Sequence, residues 1–547
     1  MECVTRTGES GESCGFAKRA APWQIRGMNT SSDPAAVSGQ LQQAMGLHGQ
    51  GQLDAAVALY RTILAQQPRH ADALHLLGIV SMQKGDLPEA VRLIGEAVAS
   101  DTEHPAAESN LGVALRGLGR LDEALIHFDR SAALQPNAAE THYNRALTLL
   151  EAGRHAEALA GFTRTVELAP QHAQAHMSRG VVLERLERDA EAIGAYDTAL
   201  ALTPNDPRVL YDRGHARYAL GEIAAAEADF RRALHLAPNF AEAHMAMAES
   251  LLLTGRSAEG WRELTWRWHA ASMAPYRRSF AVPEWRGEPI AGKTILVHAE
   301  QGFGDTIQFC RFVRDVAARG ARVVLEVQPQ LLGVLQGVEG AAQVVASATS
   351  LPSFDTHALL MDLPGLLGVD PLTMPARAAY VAAEPARVAA WQEKFAPGAP
   401  LRVGLAWAGR AVHRYNQRRS VGLDALAPLL SLPGVEFVAL QPDAVVPPGK
   451  FPQLHVPGAA IMDFADTAAL MAGLDLIISV DTVYAHLGGA LGKPTWVLLS
   501  YMPDWRWLQT RTDSPWYPTA RLFRQRQPLA WSAVIADVAA GLAALAR

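Results

Sequence analysis

The sequence predicts a helical superhelix followed by an α/β region of two lobes. A ruler of 34 residues runs through the first half, and short apolar runs alternate with helical stretches in the second. The composition lets both parts fold: of 547 residues, 49% are hydrophobic and 19% charged, a length suited to about three or four domains.

Residues 1–36 are small and polar, lack an apolar signal core, and are expected to be disordered. The ruler follows over 37–270. Pro68, Pro136, Pro170, Pro204 and Pro238 share one phase, with Thr102 in the remaining slot. Ten residues after each comes a small residue: Gly78, Gly112, Ala146, Gly180, Gly214, Ala248. Alanines hold a second phase, from Ala56 to Ala226, and four residues after each stands Tyr60, Ile94, Phe128, Phe162, Tyr196 or Phe230. Small residues let the two helices of a repeat approach, the large residue is expected to fill the gap to the next repeat, and proline closes the second helix. Stretches such as "GRLDEA" supply the turns.

This pattern resembles the tetratricopeptide repeat, about six units with "GRSAEGWRELTWRW" as a degenerate cap. Such repeats stack around a groove that takes a protein or peptide, or serve purely as a scaffold. One helical phase reads Leu76, Asn110, Asn144, Ser178, Asp212, Ala246. The polar Asn110, Asn144, Ser178 and Asp212 are expected to face the groove. They resemble a shortened form of the asparagine ladder of protein O-GlcNAc transferases.

Residues 271–292, rich in proline and tryptophan, read as a linker. The α/β pattern then runs through "TILVHA", a helix over about 306–319, "RVVLEV", a helix over 329–337 and "AQVVA". A second series runs from "LRVGLAWAG" through "VEFVAL" and "LDLIISV" to "TWVLL", with helices near 423–431, 466–473 and 482–491. Strands alternating with helices imply parallel sheets. Two Rossmann-like lobes are expected, over 293–395 and 396–530, with a ligand at the carboxyl ends of the strands. Residues 531–547 are expected to end the chain as a helix packed on the sheet.

In "EQGFGDTIQF", Gly302 and Gly304 open a G-x-G-x-x-G pattern that Ile307 breaks, so a dinucleotide reading is rejected. Asp305, with Gln308 three residues on, forms a capping box, serves as a general base facing a cleft, or both. "GGALGKPT" has neither the spacing nor the strand-to-helix order of a phosphate loop and reads as a helix C-terminus. In "SVDTVYAHLGGALG", Asp481 and Thr482 start a helix whose free N–H groups suit a diphosphate, and His486 follows within its first turns. The alternatives are ordinary caps and a core histidine.

"GFGDTIQF" together with "SVDTVYAHLGGALGKPTWVLL" resembles the heptosyltransferase-like glycosyltransferases of family 9, of GT-B fold, over about residues 293–530. The whole chain resembles bacterial proteins joining tetratricopeptide repeats to such a domain. The resemblance implies Asp305 as base and a donor diphosphate held at Asp481, Thr482 and His486. The family's glycine is Val483 here. Its basic residue corresponds to Arg418 or Arg419, with Arg419 favoured. The implied reaction is inverting transfer from a nucleoside-diphosphate sugar, with no cofactor and no metal, in keeping with the absence of an Asp-x-Asp pair. Trp505, Arg506 and Trp507 either cover the second lobe or line its pocket. Gly302, Gly304, Gln308 and Trp407 complete the expected lining. The alternative is a binding or assembly protein whose GT-B half is inactive; a sugar-nucleotide epimerase on the same fold is a third reading.

The net charge of −6 and pI near 6.3 argue against a nucleic-acid partner. The apolar stretch "LMAGLDLIISV" carries Asp475 and is too short to span a membrane. Cys3, Cys14 and Cys310 form neither a metal motif nor a disulfide framework, so a cytoplasmic setting is expected.

Overall fold

The computed structural model describes residues 34–395, 401–409, 416–447 and 449–546. Most of the N-terminal segment read as disordered lies outside the described residues. The chain divides into two compact units, Met1–Arg217 and Tyr218–Arg547.

Fourteen helices run from Pro34–Gly49 to Ser257–Leu264, paired as hairpins. The small residue of the first helix receives the large residue of the second. A Cβ on Gly112 would stand 2.9 Å from the Phe128 ring, and one on Gly180 would stand 2.4 Å from Tyr196. The large side chain therefore seats within its own repeat, which corrects the expectation that it fills the gap to the next. A second 34-residue phase sits in the turns, where Gly51, Gly85, Gly119, Gly153, Gly221 and Gly255 all take positive φ. Glu187 occupies the same phase at φ 60°, the left-handed conformation that glycine adopts without strain.

The second unit holds two all-parallel sheets. The first orders β1 (Thr294–His298), β2 (Arg322–Val327), β3 (Ala341–Ala346) and β4 (Thr356–Leu359) as β3-β2-β1-β4. The second contains β5 (Arg402–Ala406), β6 (Glu436–Ala439), β7 (Leu454–His455), β8 (Leu476–Val480), β9 (Thr495–Leu499) and β10 (Ala520–Arg524). Its order, β10-β9-β8-β5-β6-β7, is the doubly wound arrangement, with the topological switch between β5 and β8. Every residue of β8 and β9 is buried, as strands covered on both faces require.

The helix expected over 306–319 is split into Phe303–Phe309, a 3-10 turn at Cys310–Phe312, and Val313–Ala317. The terminal helix Trp531–Leu545 buries Val534, Ile535, Val538 and Leu542 in a core shared with Trp496 and Phe523. "GGALGKPT" ends the helix Val483–Ala490, with Gly492 left-handed just past the cap.

Residues 271–292 are not a free linker. Trp285 is buried, its backbone N–H donating to the His357 carbonyl at 2.7 Å and its indole to Glu288, and Thr356 donates to the Pro283 carbonyl. The last repeat helices share one apolar core with both sheets, Leu252, Leu253, Trp261 and Leu264 clustering with Ile295, Val297 and Trp505. Trp261 donates its indole N–H to the Val369 carbonyl at 2.8 Å and meets Trp505 edge to face. Arg267, just past the last helix, is buried between Glu300, bonded at 2.6 and 3.0 Å, and Asp362 at 2.7 Å. These carboxylates follow β1 and β4, the neighbours at which the first sheet changes direction.

Candidate functional site

At the switch point of the second sheet, β8 runs out into Asp481 and Thr482, and Thr482 is the N-cap of Val483–Ala490. Its hydroxyl bonds Ser479 at 3.0 Å instead of turning back to the helix, so the helix start has no side-chain cap. β5 leads towards the short helix Asn416–Arg419. Arg419 donates from Nη1 to the Asp481 carbonyl at 3.1 Å, while its Nε is buried without a partner. Gly409 makes room, since a Cβ there would lie 2.5 Å from Arg419 Nη2. An open helix start beside a guanidinium N–H with nothing to bond is a setting for an anion.

Asp305 lies in the first turn of Phe303–Phe309, whose N-cap is Gly302. It makes no capping bond, and Gln308 does not complete a box. That expectation is corrected: both side chains turn to Arg506, which donates to Asp305 at 2.6 Å and to Gln308 Oε1 at 2.6 Å. Asp504 holds the same guanidinium with contacts of 2.9 and 3.0 Å. The Asp305 side chain is set deep among protein atoms yet remains 30% exposed. Burial pushes its carboxyl above the usual range against the opposing pull of Arg506. For Asp504, burial acts upward too, but Arg506 outweighs it and the carboxyl falls below its ordinary value.

The two lobes touch at Gly304 and His486, where a Cβ on the glycine would lie 2.8 Å from the imidazole. His486 bonds the Tyr517 hydroxyl through Nδ1 at 2.9 Å and stacks on Trp507 at 5.5 Å. Burial depresses its pKa to about 3, so it is a neutral imidazole and its 4.0 Å approach to Asp481 is no ion pair. Burial and Asp504 push Asp481 up to about 6. The Trp507 indole N–H lies near that carboxylate, outside hydrogen-bonding geometry.

Three expected lining residues are core instead. Trp407 packs among Val421, Leu426 and Phe437, Trp505 among Trp261, Phe309 and Trp516, and Trp507 is fully buried. None offers a free face to a sugar. Arg506 belongs to the site as the tie between Asp305, Gln308 and Asp504. Asp504 and Tyr517 were not foreseen; the "PDWRW" segment carries the first, but nothing local pairs either with its partner.

The polar phase of the repeats is also engaged. Asn110 bonds the His75 ring at 2.8 Å, Asn144 donates to the Glu140 carbonyl of its own helix, and Ser178 and Asp212 are buried. Of the four, Asn110 and Asn144 keep part of their surface exposed, while Ser178 and Asp212 are buried.

Tetratricopeptide-repeat models match residues 47–109, 103–171, 143–207 and 179–252, so the N-terminal part is built of these repeats. Protein FlbA of Caulobacter vibrioides is 30% identical over 335 residues, 55% of each chain, so this chain spans about half the length of that relative. Solved structures that match include pilF of Pseudomonas aeruginosa, 21% identical, covering 39% of this chain and 98% of its own, with a TM-score of 0.37. MamA of Desulfovibrio magneticus RS-1 is 23% identical, covering 31% and 96%, with a TM-score of 0.30. Among the described residues no helix is long and apolar enough to cross a membrane.

Proposed function

We propose that this chain transfers a sugar from a nucleoside-diphosphate sugar to an acceptor hydroxyl, with the repeats recruiting the acceptor or its carrier protein. The observation that carries the reading is the uncapped start of Val483–Ala490 beside the unpartnered Nε of Arg419, at a sheet's switch point. The diphosphate sits there, with the first helical N–H groups as donors. The Asp481 carboxylate repels it when ionised.

In this reading the acceptor oxygen attacks the anomeric carbon and passes its proton to Asp305. The bond from that carbon to the diphosphate breaks, the configuration inverts, and the bonding electrons leave with the nucleoside diphosphate. Arg419 and the helix start stabilise that charge without a metal. Burial favours Asp305 as a base, and Arg506 fixes its direction.

A second reading has two specific supports: the ion pair that engages Asp305, and Val483 where the resembled family has glycine. Under it the chain binds a nucleoside diphosphate and a partner without turnover.

Thermal-shift titration of the full chain against ADP-, UDP-, GDP- and dTDP-sugars tests the binding common to both. At least one should stabilise it, and Arg419→Gln should weaken binding about tenfold or more, the loss of a charge-assisted contact. No shift with any of them contradicts the reading.

A further inference from the structure

We propose a second anion site, for a small organic phosphate, at the end of the first sheet opposite Asp305. A cavity of about 370 Å³ lies between the Arg311–Arg319 segment and residues 367–377. β2 and β3 begin beside it, and the backbone at Gly340, one residue before β3, packs on Arg314. Asp305 and Glu300 follow the carboxyl end of β1. None of its lining residues is one that the candidate cleft uses, while Arg311 lies over the Tyr517 ring at 4.8 Å; the inference does not depend on what that cleft binds.

Four arginines line it, Arg311, Arg314, Arg319 and Arg377, against two carboxylates, Asp315 and Asp370. Their charges are poorly neutralised. Arg311 is buried, yet its donors go only to neutral acceptors: the Gln308 and Trp516 carbonyls and the Tyr380 hydroxyl. Arg377 donates Nη1 to the Arg311 carbonyl at 2.9 Å, and its Nη2 is buried with no partner. Arg319 lies over the Trp285 ring at 5.6 Å and has no carboxylate within ion-pair distance among the described residues. Arg314 reaches Glu339 and Asp315 only at 3.5 and 3.8 Å.

A buried guanidinium N–H without an acceptor, in a cavity with surplus positive charge, calls for an anion. Guanidinium forks match phosphate oxygens in pairs. Phe312, Leu367 and Met374 add apolar wall, with Thr373 among them, which suits the organic part of a phosphate monoester.

Calorimetric titration of the full chain with phenyl phosphate, and separately with inorganic phosphate, tests this. The expected result is saturable binding, tighter for phenyl phosphate, weakened about tenfold by Arg377→Gln and by Arg319→Gln and still present in Arg419→Gln. Arg319 is exposed and its side chain makes no hydrogen bond, so its variant keeps the test valid if Arg377→Gln disturbs folding. Absence of saturable binding overturns the site, as does binding lost in Arg419→Gln but kept in Arg319→Gln. Equal affinity for the two probes overturns the organic part.

Discussion

Replacing Arg267 by methionine removes the cation that bridges two buried carboxylates. The side chains of Arg267 and Glu300 are each 5% exposed and that of Asp362 11%, so solvent cannot take over the lost contacts. Arg267 also donates to the Leu264 carbonyl, tying the last repeat helix to the first sheet. Breaking a buried pair by deleting one partner costs about 3–5 kcal/mol, a large part of the stability of a typical domain. The effect depends on pH with a definite sign. Burial already raises the Glu300 carboxyl while Arg267 opposes it, so without Arg267 the folded state holds its proton to still higher pH. The deficit is therefore largest at high pH and shrinks as the pH falls and Glu300 is neutralised. Urea denaturation of the full chain, followed by hydrogen exchange of the β1 and β4 amides, reads this out. A loss below about 1 kcal/mol, or one independent of pH, refutes the claim that this cluster binds the repeat cap to the first lobe.

Gly304→Ala should destabilise the second unit by about 1–3 kcal/mol through overpacking on His486, seen in the same denaturation curves; wild-type stability would mean the lobes do not meet there. Nucleoside-diphosphate affinity should rise as pH falls through about 6, where Asp481 gains its proton, and Asp481→Asn should flatten that dependence in titrations from pH 5 to 8. Glu187→Gly should stabilise the first unit by about 1 kcal/mol by relieving a left-handed backbone, read as a shift of its thermal midpoint.

The repeats were legible because a helical hairpin of fixed length repeats its small, large and turn residues at a fixed period. The strands with continuous apolar runs, such as "TILVH" and "LIISV", were legible for the same local reason. β4, β7 and β10 were not: β7 has two residues, and β10, "ARLFR", carries arginines that disguise an edge strand. The candidate site divides along the same line. Asp305, Asp481 and His486 stand in motifs that local sequence displays. Arg506 meets Asp305 across 201 positions, and Arg267 meets Asp362 across 95, and no local signal joins them. Trp505 and Trp507 read as platforms for a ligand because tryptophan suits both roles, but packing uses both of their faces. The linker reading of residues 271–292 failed similarly: prolines mark an irregular path, yet Trp285 and Ile290 bury it on the first lobe.

The central claim is tested most directly by incubating the full chain with the donor sugar nucleotide that stabilises it most, and following release of nucleoside diphosphate with and without candidate acceptors. The account predicts acceptor-dependent release that Asp305→Asn abolishes while donor binding stays within about twofold of wild type. Release unaffected by Asp305→Asn, or donor binding with no release under any acceptor, contradicts it.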